Sequence, residues 1–210
     1  MPILDPPFLD HVGLAAAPAQ IEKLGFHLTP TSGVAAHARI FFERSYFEVT
    51  PPAETGDGLL GAKGWFLRTA DPGKAAEVLR GDGISVIGPR RYEGGDGIWL
   101  DVTIEHGNPA LPILTRRLDK PADVWPPPEA SNHANDVTRL SAVHLEAKDP
   151  AHVAHILETI GARAGRSGTF ELGSGSRVVV QESRDGREGL IALELDRSDQ
   201  PPLTLEVSPV

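Results

Sequence analysis

Among the residues able to do chemistry, His11 and Glu48 stand apart. His11 lies in the run Leu9-Asp10-His11-Val12-Gly13-Leu14-Ala15 and Glu48 in Tyr46-Phe47-Glu48-Val49-Thr50, and both runs read as strands. An imidazole and a carboxylate converging across a sheet suit a divalent ion of the Zn, Mn, Fe, Ni or Co type. The same two groups also serve as a hydrogen-bonded pair facing a ligand, with no metal at all. A non-haem iron centre wants two histidines and one carboxylate, and this pair supplies one of each. Glu48 and Asp101 are the candidate catalytic carboxylates, because a carboxylate facing a sheet interior needs a partner and can move a proton. Asp101 shares its strand parity with Trp99 and Thr103, as Arg39 does with Phe41 and Phe66 with Arg68. These six neighbours, aromatic and polar, are what a small-molecule pocket requires.

Other candidates read as structure. His152 and His155, three apart on one helix, lie opposite the apolar stripe Val153, Ile156, Leu157 and Ile160 and read as a solvated face. His144 reads as a structural strand histidine. The runs Gly94-Gly95-Asp96-Gly97 and Gly173-Ser174-Gly175-Ser176 lack the Lys-Ser/Thr of a phosphate loop, precede strands and read as turns. A Gly-x-Ser-x-Gly nucleophile motif is absent.

The elements that must position these residues form a repeat, a strand followed by a helix and further strands, written three times. Trp65-Phe66-Leu67-Arg68 aligns with Val143-His144-Leu145-Glu146, Asp71-Pro72 with Asp149-Pro150 and Gly83 with Gly161. Asp followed by Pro starts a helix, since the carboxylate caps free amides and Pro has no amide to lose. The first copy has a shorter helix, within Ala19–Leu24, and then strands at Phe26–Thr29, Ala38–Phe42 and Tyr46–Thr50. Two units over 8–120 form one complete cup. A Pro-rich linker spans 121–136, and a third unit with strands at Arg177–Gln181 and Leu190–Leu195 spans 137–197. The segment 51–64 is a second Pro/Gly linker, and the tail 201–207 is either an edge strand or unstructured. An unpaired third unit leaves a sheet edge, and edges are usually covered; a homodimer is the expected consequence.

Composition narrows the function further. The 210 residues carry 20 basic and 29 acidic side chains, a net charge of −9, with no basic stripe to neutralise nucleic-acid phosphates. The absence of cysteine excludes disulfides, thiolate metal sites and thiol nucleophiles. The N-terminal run lacks the features of a signal peptide, and no apolar stretch approaches the ~20 residues of a membrane span. A cytoplasmic protein with a small-molecule partner, and neither nucleic acid nor membrane, is expected.

The repeated βαβββ plan, the opening LDHVGLA, the strand pair ARIFF and SYFEV, and the GWFLRTADP strand-helix start resemble the glyoxalase-like branch of the vicinal-oxygen-chelate superfamily. The resemblance covers most of residues 8–197. It implies an α+β fold in which βαβββ units build a cupped mixed sheet with helices outside and ligands in the cup. It also implies metal ligands on the first and last strand of each unit. Carried over, His11 matches the first-strand ligand and Glu48 the last-strand ligand, whereas Gly64, Ile113 or Leu114, and Ala142 stand at later positions. Two functions follow from the resemblance. One is a divalent-metal-dependent lyase, isomerase or dioxygenase acting on a small oxygenated substrate. The other is a metal-free protein that binds a drug or aromatic compound.

Overall fold

The structure is a computed structural model that describes residues 4–31, 37–52, 60–94, 97–119 and 128–209. The first repeat comprises β1 (Phe8–Ala15), α1 (Pro18–Lys23), β2 (Thr29–Pro30), β3 (Ala38–Phe41) and β4 (Tyr46–Thr50). The second comprises β5 (Leu60–Arg68), α2 (Pro72–Gly81), β6 (Val86–Gly94), β7 (Gly97–Ile104) and β8 (Ile113–Arg117). The third comprises β9 (Val137–Ala147), α3 (Pro150–Thr159), β10 (Arg163–Ala164), β11 (Thr169–Glu171) and β12 (Arg177–Glu182). The strands β13 (Gly189–Arg197) and β14 (Leu203–Pro209) follow. Of the expected linkers and turns, 53–59, 95–96 and 121–127 lie outside the described residues.

Each helix starts where its chemistry dictates. Asp71 Oδ1 accepts from the Lys74 amide at 3.0 Å, and Asp149 Oδ1 from the His152 amide at 3.0 Å. Each cap contributes about 1 kcal/mol. The residue before α1 is Ala17, which cannot cap; Gln20 Oε1 accepts the Ala17 amide at 2.9 Å instead. That helix is six residues long.

Every repeat closes in the same way, with its first strand parallel to its last: β1 on β4, β5 on β8, β9 on β12. β1 and β5 then pair antiparallel and join the first two repeats into one cup. Leu9, Val12 and Leu14 of β1 and Trp65 and Leu67 of β5 are at most 1% exposed and form the core outside the cup. Burying each such side chain is worth ~1.5–3 kcal/mol. The result is an α+β fold, a cupped mixed sheet of βαβββ units with helices outside.

The third repeat is completed differently from expectation. β12 is its last strand, and β13 lies antiparallel on the other side of β9, the place that β5 takes on β1. The run Leu190–Leu195 therefore begins an abbreviated fourth unit. β14 pairs antiparallel with β13 and parallel with β5 (Val207 opposite Leu60), so the tail is an internal strand. β5 divides one edge between two neighbours, Leu60–Ala62 facing β14 and Phe66–Arg68 facing β8. The edge of β9 from which a dimer was expected is thus covered within the chain.

The expected strand Phe26–Thr29 shortens to β2. Phe26 turns into the core against Phe42 and Phe47, and the His27 amide donates to His133 Nδ1 at 3.1 Å rather than to a strand. His133 Nε2 in turn donates to the Phe41 carbonyl at 2.8 Å. Asn135 Nδ2 donates to the Leu24 carbonyl at 2.8 Å, and a Cβ on Gly25 would meet Asn135 Cβ at 3.0 Å. Residues 133–135 thereby strap the entrance of the third repeat to the first.

Candidate functional site

Strand register assigns the concave face. One row runs across six strands as Phe41, Tyr46, His11, Phe66, Ile113 and Thr103. A second row holds Arg39, Glu48, Gly13 and Gly64, and a third Arg68, Thr115 and Asp101. Trp99 stands opposite Arg117, whose guanidinium carbon lies 5.0 Å from the indole centroid. Arg39, Phe41, Glu48, His11, Phe66, Arg68, Trp99, Asp101 and Thr103 therefore share one face of the sheet.

His11 is the best-held of these. It is 6% exposed, with Tyr46 stacked on one side at 4.5 Å and 11° and Phe66 on the other at 3.9 Å and 14°. Its Nδ1 lies 2.8 Å from Asp10 Oδ2. Neighbours along a regular strand point to opposite faces, so a direct His11–Asp10 contact needs a local irregularity. The β1–β5 register shifts between Leu9 and His11, placing two residues of β1 against one of β5. This bulge turns Asp10 to the cup beside His11. Asp10 accepts at Nδ1 and fixes the ring orientation, leaving Nε2 without a hydrogen bond among the described residues.

The carboxylates of the cup each have a partner. Arg68 Nε lies 3.9 Å from Asp10 Oδ1, and Arg39 Nη2 lies 4.0 Å from Glu48 Oε1 while its guanidinium carbon sits 5.0 Å from the Tyr46 ring centroid. Thr115 Oγ1 donates to Asp101 Oδ1 at 2.6 Å. Burial holds the Asp101 carboxyl above the usual carboxylate range, against the Thr115 hydrogen bond and the field of His11, which favour its charged form.

A metal does not fit this donor set. The positions that would complete the site carry Gly64, Ile113 and Ala142, none with a donor side chain. Among the described residues no three His, Asp or Glu side chains gather where they could hold an ion. Glu48 faces Arg39, a cation that does not deprotonate. Among the described residues His11 and Glu48 share no hydrogen bond or ion pair; His11 is paired with Asp10 and Glu48 faces Arg39.

Three residues of the cup had not been singled out from the sequence. Tyr46 has the parity of Glu48 and was within reach of that signal; Thr115 lies on β8 directly opposite Asp101. Asp10 carried no signal, because alternation assigns it to the opposite face. Three other histidines have acidic partners: His144 lies 3.5 Å from Glu194, His152 2.9 Å from Glu105, and His155 2.6 Å from Asp82. The last two pairs fasten α3 to the second repeat, so that helix face is an internal contact as well as a solvated one.

Comparison with known proteins agrees with this architecture. Residues 9–161 match the family model of the glyoxalase-like domain. A search of curated proteins returns no match. Among solved structures, a hypothetical protein from Staphylococcus aureus superposes with a TM-score of 0.67 at 8% identity, over 97% of this chain and 99% of that one. The Mn(II)-bound glyoxalase from Novosphingobium aromaticivorans gives 0.58 at 12% identity, over 90% of this chain and 64% of that one. A variant of homoprotocatechuate 2,3-dioxygenase from B. fuscum, in complex with HPCA, gives 0.55 at 12% identity, over 99% and 72%.

Proposed function

The chain belongs to the glyoxalase-like domain family of the vicinal-oxygen-chelate superfamily, and from that premise we propose that its cup is a metal-independent site for a small, flat, anionic organic molecule. The observation that carries this reading is the donor set: the positions where the resemblance places further metal ligands carry Gly64, Ile113 and Ala142, and among the described residues no three His, Asp or Glu side chains gather where they could hold an ion. Phe41, Phe66 and Trp99 offer flat apolar faces to a conjugated ligand. Arg39 and Arg68 flank the row and present the planar forks that suit a carboxylate. His11 Nε2 and Thr103 complete the polar contacts.

If the site performs chemistry, proton transfer is the reaction its residues support. Asp101, whose burial favours the neutral form, is the group suited to give and take a proton. Glu48, 4.0 Å from Arg39 Nη2, orients the guanidinium. The metal-dependent lyase, isomerase or dioxygenase reading draws on the named Mn(II) glyoxalase and dioxygenase structures. The donor set of this chain favours the metal-free alternative.

The test combines metal analysis with binding. Protein purified without a histidine tag is expected to hold far less than one equivalent of transition metal, before and after soaking in Mn, Fe, Ni or Zn. Aryl carboxylates are expected to bind by calorimetry and to lose affinity about tenfold or more in Arg68→Met, the scale of one lost charged hydrogen bond. One equivalent of metal that disappears in His11→Ala would refute the proposal.

A further inference from the structure

A second cavity, of about 240 Å³, opens between the first and third repeats and shares no residue with the cup. Its wall is built from the turn between β3 and β4, the start of β9, and the turn that leads into β12. That last turn docks closely on the first repeat. The Gly173 amide donates to the Pro7 carbonyl at 2.9 Å, and a Cβ on Gly173 would meet the Pro6 carbonyl at 2.8 Å. The Gly-Ser-Gly-Ser run is therefore a turn, as its sequence implies, but one that delivers two serines to the wall of this cavity.

The polar groups lining this space are mostly donors. Arg139 Nη2 donates to the Gly175 carbonyl at 2.8 Å, yet its Nε is buried without a hydrogen bond; the Asp196 carboxylate lies 3.7 Å from it, beyond hydrogen-bond reach. Ser45 is 4% exposed and its hydroxyl has no hydrogen-bond partner among the described residues. Ser174 Oγ accepts from the Ser176 amide at 3.4 Å, which leaves its own proton free to donate. Arg44, exposed at the mouth, makes no ion pair among the described residues. Glu43 is the single acid of the wall, and it is exposed. A buried N–H without an acceptor is costly, and four donor side chains from three elements surround one space.

We propose that this cavity is a second binding site, which takes the phosphoryl group of a small molecule through Arg44, Arg139, Ser45 and Ser174. A carboxylate is satisfied by one planar fork. Donors converging from three sides suit an anion with several terminal oxygens. A ligand here touches both the first and the third repeat, so its binding also stabilises their contact.

Calorimetry on the full chain at matched ionic strength tests this, with inorganic phosphate, glycerol 3-phosphate and acetate as probes. Phosphate or its ester should bind saturably, and a tighter ester than free phosphate would identify a phosphorylated metabolite as the source. Arg44→Glu, a substitution at an exposed position, should weaken binding about tenfold or more, and Arg139→Gln should do the same if it folds. Arg68→Met in the cup should leave it unchanged. Absence of saturable phosphate binding, equal binding of acetate, or an unchanged affinity in Arg44→Glu would overturn the proposal.

Discussion

Replacing His133 by Phe isolates the strap that joins the third repeat to the cup. The imidazole is 6% exposed and packs edge-on against Phe26 at 5.6 Å and Phe42 at 5.5 Å, so a phenyl ring preserves most of the apolar contact. What is lost is polar. Nδ1 no longer accepts the His27 amide at 3.1 Å, and Nε2 no longer donates to the Phe41 carbonyl at 2.8 Å. Leaving a buried donor or acceptor unpaired costs ~1–3 kcal/mol each, so His133→Phe should destabilise by about 3 kcal/mol. With a urea slope of about 2 kcal/mol/M, the unfolding midpoint should fall by roughly 1.5 M at pH 8. The pH profile gives a second signature. Burial holds the His133 imidazole below its ordinary range, and its Nδ1 must stay unprotonated to accept from His27. Its contribution is complete above a pH of about 6.5 and is lost as pH falls through the depressed value. Wild type should therefore lose its advantage over the variant on acidification, so that the two curves approach each other. A midpoint shift below about 0.3 M at pH 8, or a difference independent of pH, would refute the reasoning.

Two further outcomes follow from the site and its supports. Asp101→Asn should stabilise the protein at neutral pH: burial raises the carboxyl, so the native state pays to ionise it as pH rises, and Asn keeps an acceptor for Thr115. Chemical denaturation should show the gain at pH 7 and its disappearance in acid, and a variant less stable than wild type at pH 7 would contradict the assignment. Asp149→Ala should cost about 1 kcal/mol by removing the cap on the His152 amide, with Asp149→Asn close to wild type; equal losses in both variants would point to something other than capping.

Local chemistry was legible in the sequence. The Asp-Pro starts of α2 and α3 need only the residues beside them, and alternation groups Arg39 with Phe41, Phe66 with Arg68, and Asp101 with Thr103 inside each strand, while the register between strands brings these groups to one face. What escaped is set by partners far along the chain. The bulge that brings Asp10 beside His11 is a property of how β1 registers on β5, and neither strand alone encodes it. β13 has the same alternation whether it closes the third repeat or begins a fourth, so its pairing on the far side of β9 had no local mark. His11 and Glu48 lie in adjacent rows of one face, and the partner each has, Asp10 and Arg39, is set by how the strands register rather than by either strand alone.

The divided edge of β5 has a consequence for how the molecule is made. Leu60 emerges during synthesis long before Val207, which pairs with it. At about 5–20 residues per second the intervening stretch takes on the order of ten seconds to translate. From the completion of β8 until the arrival of β14, the lower half of β5 is an open hydrogen-bonding edge on a first cup whose other strands are all present, a state exposed to pairing with neighbouring chains. The slow step of maturation is then the arrival of β14, a contact distant in sequence, and conditions that slow elongation or crowd nascent chains should raise misassembly at this one edge before any other.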